Sequence, residues 1–295
     1  MPSVGFGCYK TPPSSTTEAV SLALRAGVRH IDGAQDYGNE KEIGRAIRDI
    51  GMQRSKLFLT SKISNDNQGE LRKVTKSVKA TLKSLDTAYL DCLYVHSPLP
   101  GSNLRLSTYA ALQQLKEEGF CRSVGVANYG VSHLDEIVAN GLDTPDVAMM
   151  ELSFYNQRRG EVDWANKHGT KVVAASWSKL SGGFNWGTDA DFKALNEIST
   201  RLGLTKAQVL VGWCTAKGIA CVPRSGVGSD AERRAIEENS EDGLRRVLGE
   251  RGMSEEDVRT LDGMEQRLTM GRLGRTDGWR EEDVKGVGWD LSTVA

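Results

Sequence analysis

Residues 28–62 read VRHIDGAQDYGNEKEIGRAIRDIGMQRSKLFLTSK. The segment begins with a short predicted strand, Val28–Asp32, and ends with another, Leu57–Ser61. Between them Glu40–Ile50 places Ile43, Ala46, Ile47 and Ile50 near a 3.6-residue period, the signature of a helix with one apolar face. A strand, a helix and a strand in that order make a βαβ unit, whose two strands run parallel.

The same alternation extends in both directions. The patterning predicts further strands at Val4–Gly7, Leu90–Val95, Ser123–Val126, Val147–Leu152, Lys171–Ala175 and Ile219–Val222. Helices are predicted at Thr16–Ala26, Leu71–Leu85, Tyr109–Glu118, Val131–Ala139, Glu161–Lys167, Ala190–Leu202 and Lys206–Lys217, then at Glu232–Glu238, Asp242–Glu250 and Ser254–Met264. Eight strands separated by helices, with no composition break or linker, point to an α/β fold of one domain, a closed (β/α)8 TIM barrel. A doubly wound open sheet is the rival, but it would carry Gly-x-Gly-x-x-Gly after its first strand. Gly5-Phe6-Gly7 supplies only half of that motif, with no helix behind it. The 295 residues suit either one barrel or two smaller domains. The stretch Gly271–Ala295 holds Trp279 and Trp289 and is expected to be a tail or loop over one barrel mouth.

Composition removes several classes of function. Thirty-eight Lys and Arg against 39 Asp and Glu leave a net charge of −1, without the basic excess of a nucleic-acid binder. No apolar run approaches the ~18 residues that span a bilayer, so no membrane association is expected. The five cysteines, Cys8, Cys92, Cys121, Cys214 and Cys221, form no Cys-x-x-Cys or Cys/His set, so neither a disulfide framework nor a metal site is expected. No charged segment followed by an apolar one opens the chain, and a cytoplasmic location is the expectation.

In a β/α barrel the chemistry lies where strands end and βα loops begin. Here those points carry Asp32 with Tyr37 five residues on, Lys62, and His96. A carboxylate, a phenol, an ammonium and an imidazole therefore share one mouth. Singly each has an ordinary reading: a helix cap, a loop charge, a structural histidine. Together they make a coherent acid. A phenol has a pKa of ~10, a nearby ammonium favours its phenolate and lowers that value, and a partly buried ammonium needs a carboxylate partner. An imidazole can orient a substrate oxygen or share its proton. The product is a general acid facing a carbonyl group.

These residues, with their neighbours, resemble the aldo-keto reductase superfamily. The resemblance is carried by His30-Ile31-Asp32 with Tyr37-Gly38-Asn39-Glu40, Thr60-Ser61-Lys62, Leu90–His96, Gly125-Val126-Ala127-Asn128-Tyr129 and Val222-Pro223-Arg224-Ser225. It runs from about Val4 to Asn239, in family order and spacing. It implies a barrel that binds NADPH and reduces an aldehyde or ketone to an alcohol. By the family pattern Tyr37 is the general acid, Lys62 lowers its pKa, Asp32 pairs with Lys62, and His96 orients the carbonyl. Relatives that reduce carbon–carbon double bonds carry Glu at the histidine position, so His96 implies carbonyl chemistry. A small-molecule carbonyl substrate, no nucleic-acid or membrane partner and a monomer are the matching expectations.

The same resemblance assigns cofactor positions. Trp177 would stack on the nicotinamide, with Ser178 and Leu180 beside it. Arg224 and Ser225 would hold the 2′-phosphate of the adenosine, and Glu238 and Asn239 its adenine end. Asn128 would take the carboxamide. At position 149 the family has Gln and this chain has Met149, and Ala127 stands in place of Ser. The family's Arg four residues before the Asn is Ala235, with Arg233 or Arg234 as substitutes. Tyr9, Ser97 and Trp186 would line the substrate pocket, Ser97 replacing a family Trp. The chain starts at its first barrel strand, so the family's bottom-capping hairpin is expected to be missing. These departures mark a divergent member. A non-redox enzyme, or a protein that binds cofactor without turnover, on the same barrel remains the alternative.

Overall fold

Leu71–Leu85 shows how the patterning becomes structure. Val74, Val78, Leu82 and Leu85 recur every three or four residues, and all are buried against the sheet. Asp86 ends that helix in the left-handed conformation, φ 53°. The computed structural model describes residues 1–154, 156–175, 193–249 and 252–264.

The strands are β1 (Phe6–Gly7), β2 (His30–Asp32), β3 (Phe58–Ile63), β4 (Cys92–Val95), β5 (Val124–Ala127), β6 (Val147–Glu151), β7 (Lys171–Ala175) and β8 (Ala220–Cys221). They form one sheet in chain order, every neighbouring pair parallel. Gly5 N donates to Cys221 O at 2.7 Å, Gly7 N to Pro223 O at 2.9 Å and Cys221 N to Ser3 O at 2.8 Å. These bonds join the last strand to the first and close the barrel. Strand alternation sorts the side chains. Ile31, Leu59, Leu93 and Val126 face the helices. Cys92, Tyr94, Ala127, Val147, Met149, Val173, Ala220 and Val222 pack together as a separate cluster inside the ring. Gly125 leaves room there for Tyr94, since a Cβ on it would lie 2.4 Å from the Tyr94 ring.

The helices are α1 (Pro13–Arg25), α2 (Glu40–Asp49), α3 (Leu71–Leu85), α4 (Ser102–Glu117), α5 (Val131–Ala139), α6 (Arg159–His168), α7 (Lys193–Leu202), α8 (Lys206–Ala216), α9 (Asp230–Glu238), α10 (Glu241–Leu248) and α11 (Glu255–Asp262). Thr205 and Ser229 open α8 and α9 with reciprocal capping boxes to Gln208 and Glu232. Helix α4 begins seven residues before the Tyr109 start that periodicity suggests. Its first turns bury little, with Leu104 exposed, so the stripe is visible only from Thr108 onward. Those turns are held instead by Ser102 and Arg105, both hydrogen-bonded to Glu136 of α5. Strands β1 and β8 are shorter than expected, reduced to two residues each. The Ala190–Leu202 helix is described from Lys193, and its first three residues lie outside the described residues, as does Gly271–Ala295.

All five cysteines are buried free thiols. Among the described residues no helix is long and apolar enough to cross a membrane, and no cluster of His, Cys, Asp and Glu is placed to hold a metal.

Candidate active site

Asp32 closes β2 and faces the barrel interior, beside the Lys62 side chain of β3. Lys62 Nζ donates to Asp32 Oδ1 and Oδ2 at 2.8 and 2.7 Å and to Gly33 O at 2.9 Å. Thr60 Oγ1 donates to the same carboxylate at 2.6 Å. Lys62 is 2% exposed, and this carboxylate compensates its buried charge. Burial opposes the charged form, yet Asp32 above all and then Tyr37 hold the Lys62 pKa above its ordinary value.

Tyr37 follows β2 in a 3-10 turn, Gln35–Tyr37, that Gly38 ends at φ 66°. Gln35 fastens the turn. Its Oε1 accepts from Ser64 N and Asn67 Nδ2, both at 2.9 Å, and its Nε2 donates to Ser77 Oγ at 2.6 Å and Thr81 Oγ1 at 3.0 Å. The Tyr37 ring centre then lies 5.0 Å from Lys62 Nζ. The phenol's pKa differs from the sequence expectation. Burial pushes it up, and Lys62 opposes that rise without cancelling it, leaving a value of about 12. Tyr37 is thus a phenol that keeps its proton at neutral pH, with an ammonium beside it.

His96 follows β4. Its ring centroid is 5.8 Å from that of Tyr37, at 74°. Asn128, after β5 with φ 63°, donates from Nδ2 to His96 O at 3.0 Å and so joins two loops at the mouth. Tyr9 also neighbours the phenol, its ring centroid 5.2 Å from that of Tyr37. Buried Asn39 fixes that neighbour, donating to Cys8 O at 3.0 Å and Thr11 O at 2.9 Å. Asp32, Tyr37, Lys62, His96 and Tyr9 therefore share one strand-end mouth.

Other expected positions are placed less centrally. Ser97 is buried, and its hydroxyl donates to Asn65 Oδ1 at 2.7 Å. Ala127 and Met149 are register partners inside the barrel, both buried and apolar. Arg224 and Ser225 follow β8, and Arg224 Nη2 donates to Lys10 O at 3.0 Å. Glu238 ends α9, and Asn239 caps it. Arg233 is engaged with Glu18, at 2.9 Å. Trp177, Ser178, Leu180 and Trp186 lie outside the described residues. Asp36 went unnoticed in the sequence reading, although its carboxylate lies 2.9 Å from the His96 ring. Its place directly before Tyr37 was the available signal.

A dinucleotide fits the residues present. Among the described residues Arg224 Nε and Asn239 Oδ1 are buried without a hydrogen-bond partner, a donor and an acceptor of the kinds a phosphate and an adenine amine require. Asn128 spends only Nδ2 on His96, which leaves its carbonyl oxygen for a carboxamide.

A parallel barrel with this tetrad at its mouth defines a class of oxidoreductase, and the comparisons agree. The Aldo/keto reductase family model matches residues 3–233. An aldo-keto reductase of Mycobacterium sp. (strain JLS) is 31% identical over 271 residues, 92% of each chain. The methylglyoxal reductase DkgA of Salmonella typhimurium is 31% identical over 225 residues, 76% of this chain and 79% of that one. The crystal structure of an aldo/keto reductase from Brucella melitensis superposes with a TM-score of 0.77 at 29% identity, covering 90% of this chain and 95% of that one. An aldose reductase structure from Giardia lamblia gives a TM-score of 0.76 at 26% identity, covering 90% and 92%. This chain belongs to the aldo/keto reductase family. It is an NAD(P)H-dependent oxidoreductase acting on carbonyl compounds.

Proposed function

We propose that this protein reduces a small aldehyde or ketone to the alcohol with NADPH, in the cytoplasm, and that Tyr37 supplies the proton. The observation that carries this reading is the buried Asp32–Lys62 pair set beneath the Tyr37 ring. NADPH, when bound, supplies the hydride. Tyr37 donates its hydroxyl proton to the carbonyl oxygen as negative charge develops there, and Lys62 stabilises the phenolate left behind. Asp32 keeps Lys62 charged for that step. His96 orients the substrate's oxygen from the neighbouring strand end. Arg224 and Ser225 would hold the 2′-phosphate, Glu238 and Asn239 the adenine end, and Asn128 the carboxamide. Arg224 favours NADPH over NADH, because a guanidinium can meet a phosphate with two parallel hydrogen bonds.

Methylglyoxal is the first substrate to try, because several relatives about 30% identical are named methylglyoxal reductases. The test is NADPH oxidation against aldehydes and ketones, beginning with methylglyoxal, paired with a cofactor-binding titration. Binding with turnover supports the reading. Binding without turnover would make the protein a cofactor carrier, and absence of binding would make it a non-redox enzyme.

A further inference from the structure

Lys62 and Tyr37 meet inside the barrel, but residues beside them reach the other way. Strand alternation turns Lys62 inward and its neighbour Ser61 outward, toward α2. Gln35, two residues before Tyr37, also reaches outward, to Ser77 and Thr81 of α3.

Glu40 stands where these two reaches converge. Ser61 Oγ donates to Glu40 Oε1 at 2.5 Å, and Thr81 Oγ1 donates to Glu40 Oε2 at 3.2 Å. Thr81 Oγ1 in turn accepts from Gln35 Nε2 at 3.0 Å. An unbroken chain of hydrogen bonds therefore runs from the residue beside Lys62, through Glu40, to the turn that presents Tyr37. A glutamate in the first turn of a helix ordinarily serves that helix through its dipole. Glu40 opens α2, yet its two carboxyl oxygens are engaged with other elements, one with β3 and one with α3. Ser61 and Thr81 are both buried, so their hydroxyls need the partner that Glu40 supplies.

We propose that Glu40 is a positioning residue that links the strand carrying Lys62 to the turn carrying Tyr37 from outside the barrel wall, and so holds the phenol against the ammonium. The catalytic consequence rests on the reductase reading above. Gln35 Oε1 ties the same turn to Ser64, just past β3, so Glu40 tightens a link that already has a second strand. Its loss should slacken the site rather than abolish it. The expected cost is about tenfold in kcat, short of the roughly 10²-fold that a 1 Å misplacement can bring.

Three variants test this against aldehyde reduction with NADPH. Glu40→Leu removes both acceptors and should lower kcat about tenfold, while the NADPH dissociation constant stays near the wild-type value. Glu40→Gln can keep both bonds, because its amide oxygen accepts from Ser61 and its amide N–H can donate to the Thr81 hydroxyl. It should retain most of the wild-type kcat. A charge acting on Lys62 would be lost as fully in Glu40→Gln as in Glu40→Leu, so equal losses in the two overturn the proposal. A kcat that Glu40→Leu leaves unchanged also overturns it. Thr81→Val cuts the same chain at its other end, so the double variant with Glu40→Leu should lose no more than the larger single loss, and additive losses overturn the proposal. Crystal structures of the cofactor-free proteins give a readout that needs no turnover. The Tyr37 ring centre lies 5.0 Å from Lys62 Nζ. In Glu40→Leu the ring should move away or occupy more than one position, and in Glu40→Gln it should stay. A ring unmoved in Glu40→Leu overturns the proposal. If wild type reduces no carbonyl compound, the reductase reading falls alone, and the ring position still decides the role of Glu40.

Discussion

Lys62 Nζ lies 2.7 Å from Asp32 Oδ2, and both side chains are almost wholly buried. Removing one partner of such a pair leaves an uncompensated charge in a low-dielectric interior, which costs about 3–5 kcal/mol. Asp32→Asn should therefore lower the urea midpoint sharply. Asp32→Asn combined with Lys62→Met should recover most of the loss, because no buried charge then remains and Thr60 Oγ1 can still donate to the Asn amide oxygen. A double variant as unstable as Asp32→Asn would show that the pair acts through packing rather than charge.

The second prediction concerns the acid. Tyr37→Phe keeps the ring that contacts Tyr9 and His96 and removes only the hydroxyl. Loss of a general acid lowers the rate about 10²–10⁴-fold. NADPH affinity should stay near the wild-type value, as read by fluorescence titration. A variant retaining more than about a tenth of the wild-type rate would remove Tyr37 from the role.

What could be read from the sequence follows physical reach. Ile31, Leu59 and Leu93 announce their strands because alternation and burial act over neighbouring residues, and the strand ends that carry Asp32, Lys62 and His96 follow directly. Helix α4 was partly hidden because its first turns are held by polar bonds to Glu136 rather than by an apolar stripe. The contact of Asp36 with His96 spans 60 residues, and that of Arg224 with Lys10 spans 214. No local pattern encodes such pairs. The rise in the Tyr37 pKa was missed for a related reason: the sequence shows the neighbouring ammonium but not the degree of burial, and burial is the larger effect.

His30 yields a prediction about acid stability. It is fully buried, packs edge-on against Phe58 and has no hydrogen-bond partner on either ring nitrogen among the described residues. Burial lowers its pKa from 6.5 to about 4. Below pH 6.5 the unfolded chain takes up a proton that the folded chain refuses until about pH 4. Stability contributed by the neutral ring is therefore present above that window and declines through it as pH falls, by about 3 kcal/mol in full. Denaturation midpoints measured from pH 7 to pH 4 should show this decline in wild type and a flatter profile in His30→Leu. Equal slopes would assign the acid sensitivity to another group.

The proposed contact of Arg224 with the 2′-phosphate yields a prediction about cofactor choice. Arg224 Nη2 donates to Lys10 O, while its buried Nε has no hydrogen-bond partner among the described residues. A phosphate met by that fork forms charge-assisted bonds worth roughly 1.5–3 kcal/mol. NADH has no 2′-phosphate and gains nothing from the contact. Arg224→Ala should thus weaken NADPH by ten- to over a hundredfold while NADH changes little. Arg224→Lys should fall between, since an ammonium keeps the charge but not the planar pair of donors. The Lys10 tether provides an internal control. If Arg224 served only to hold the loop that carries Tyr9, its removal would loosen the mouth for both dinucleotides alike, and equal weakening in the two titrations would assign the residue to that structural role instead.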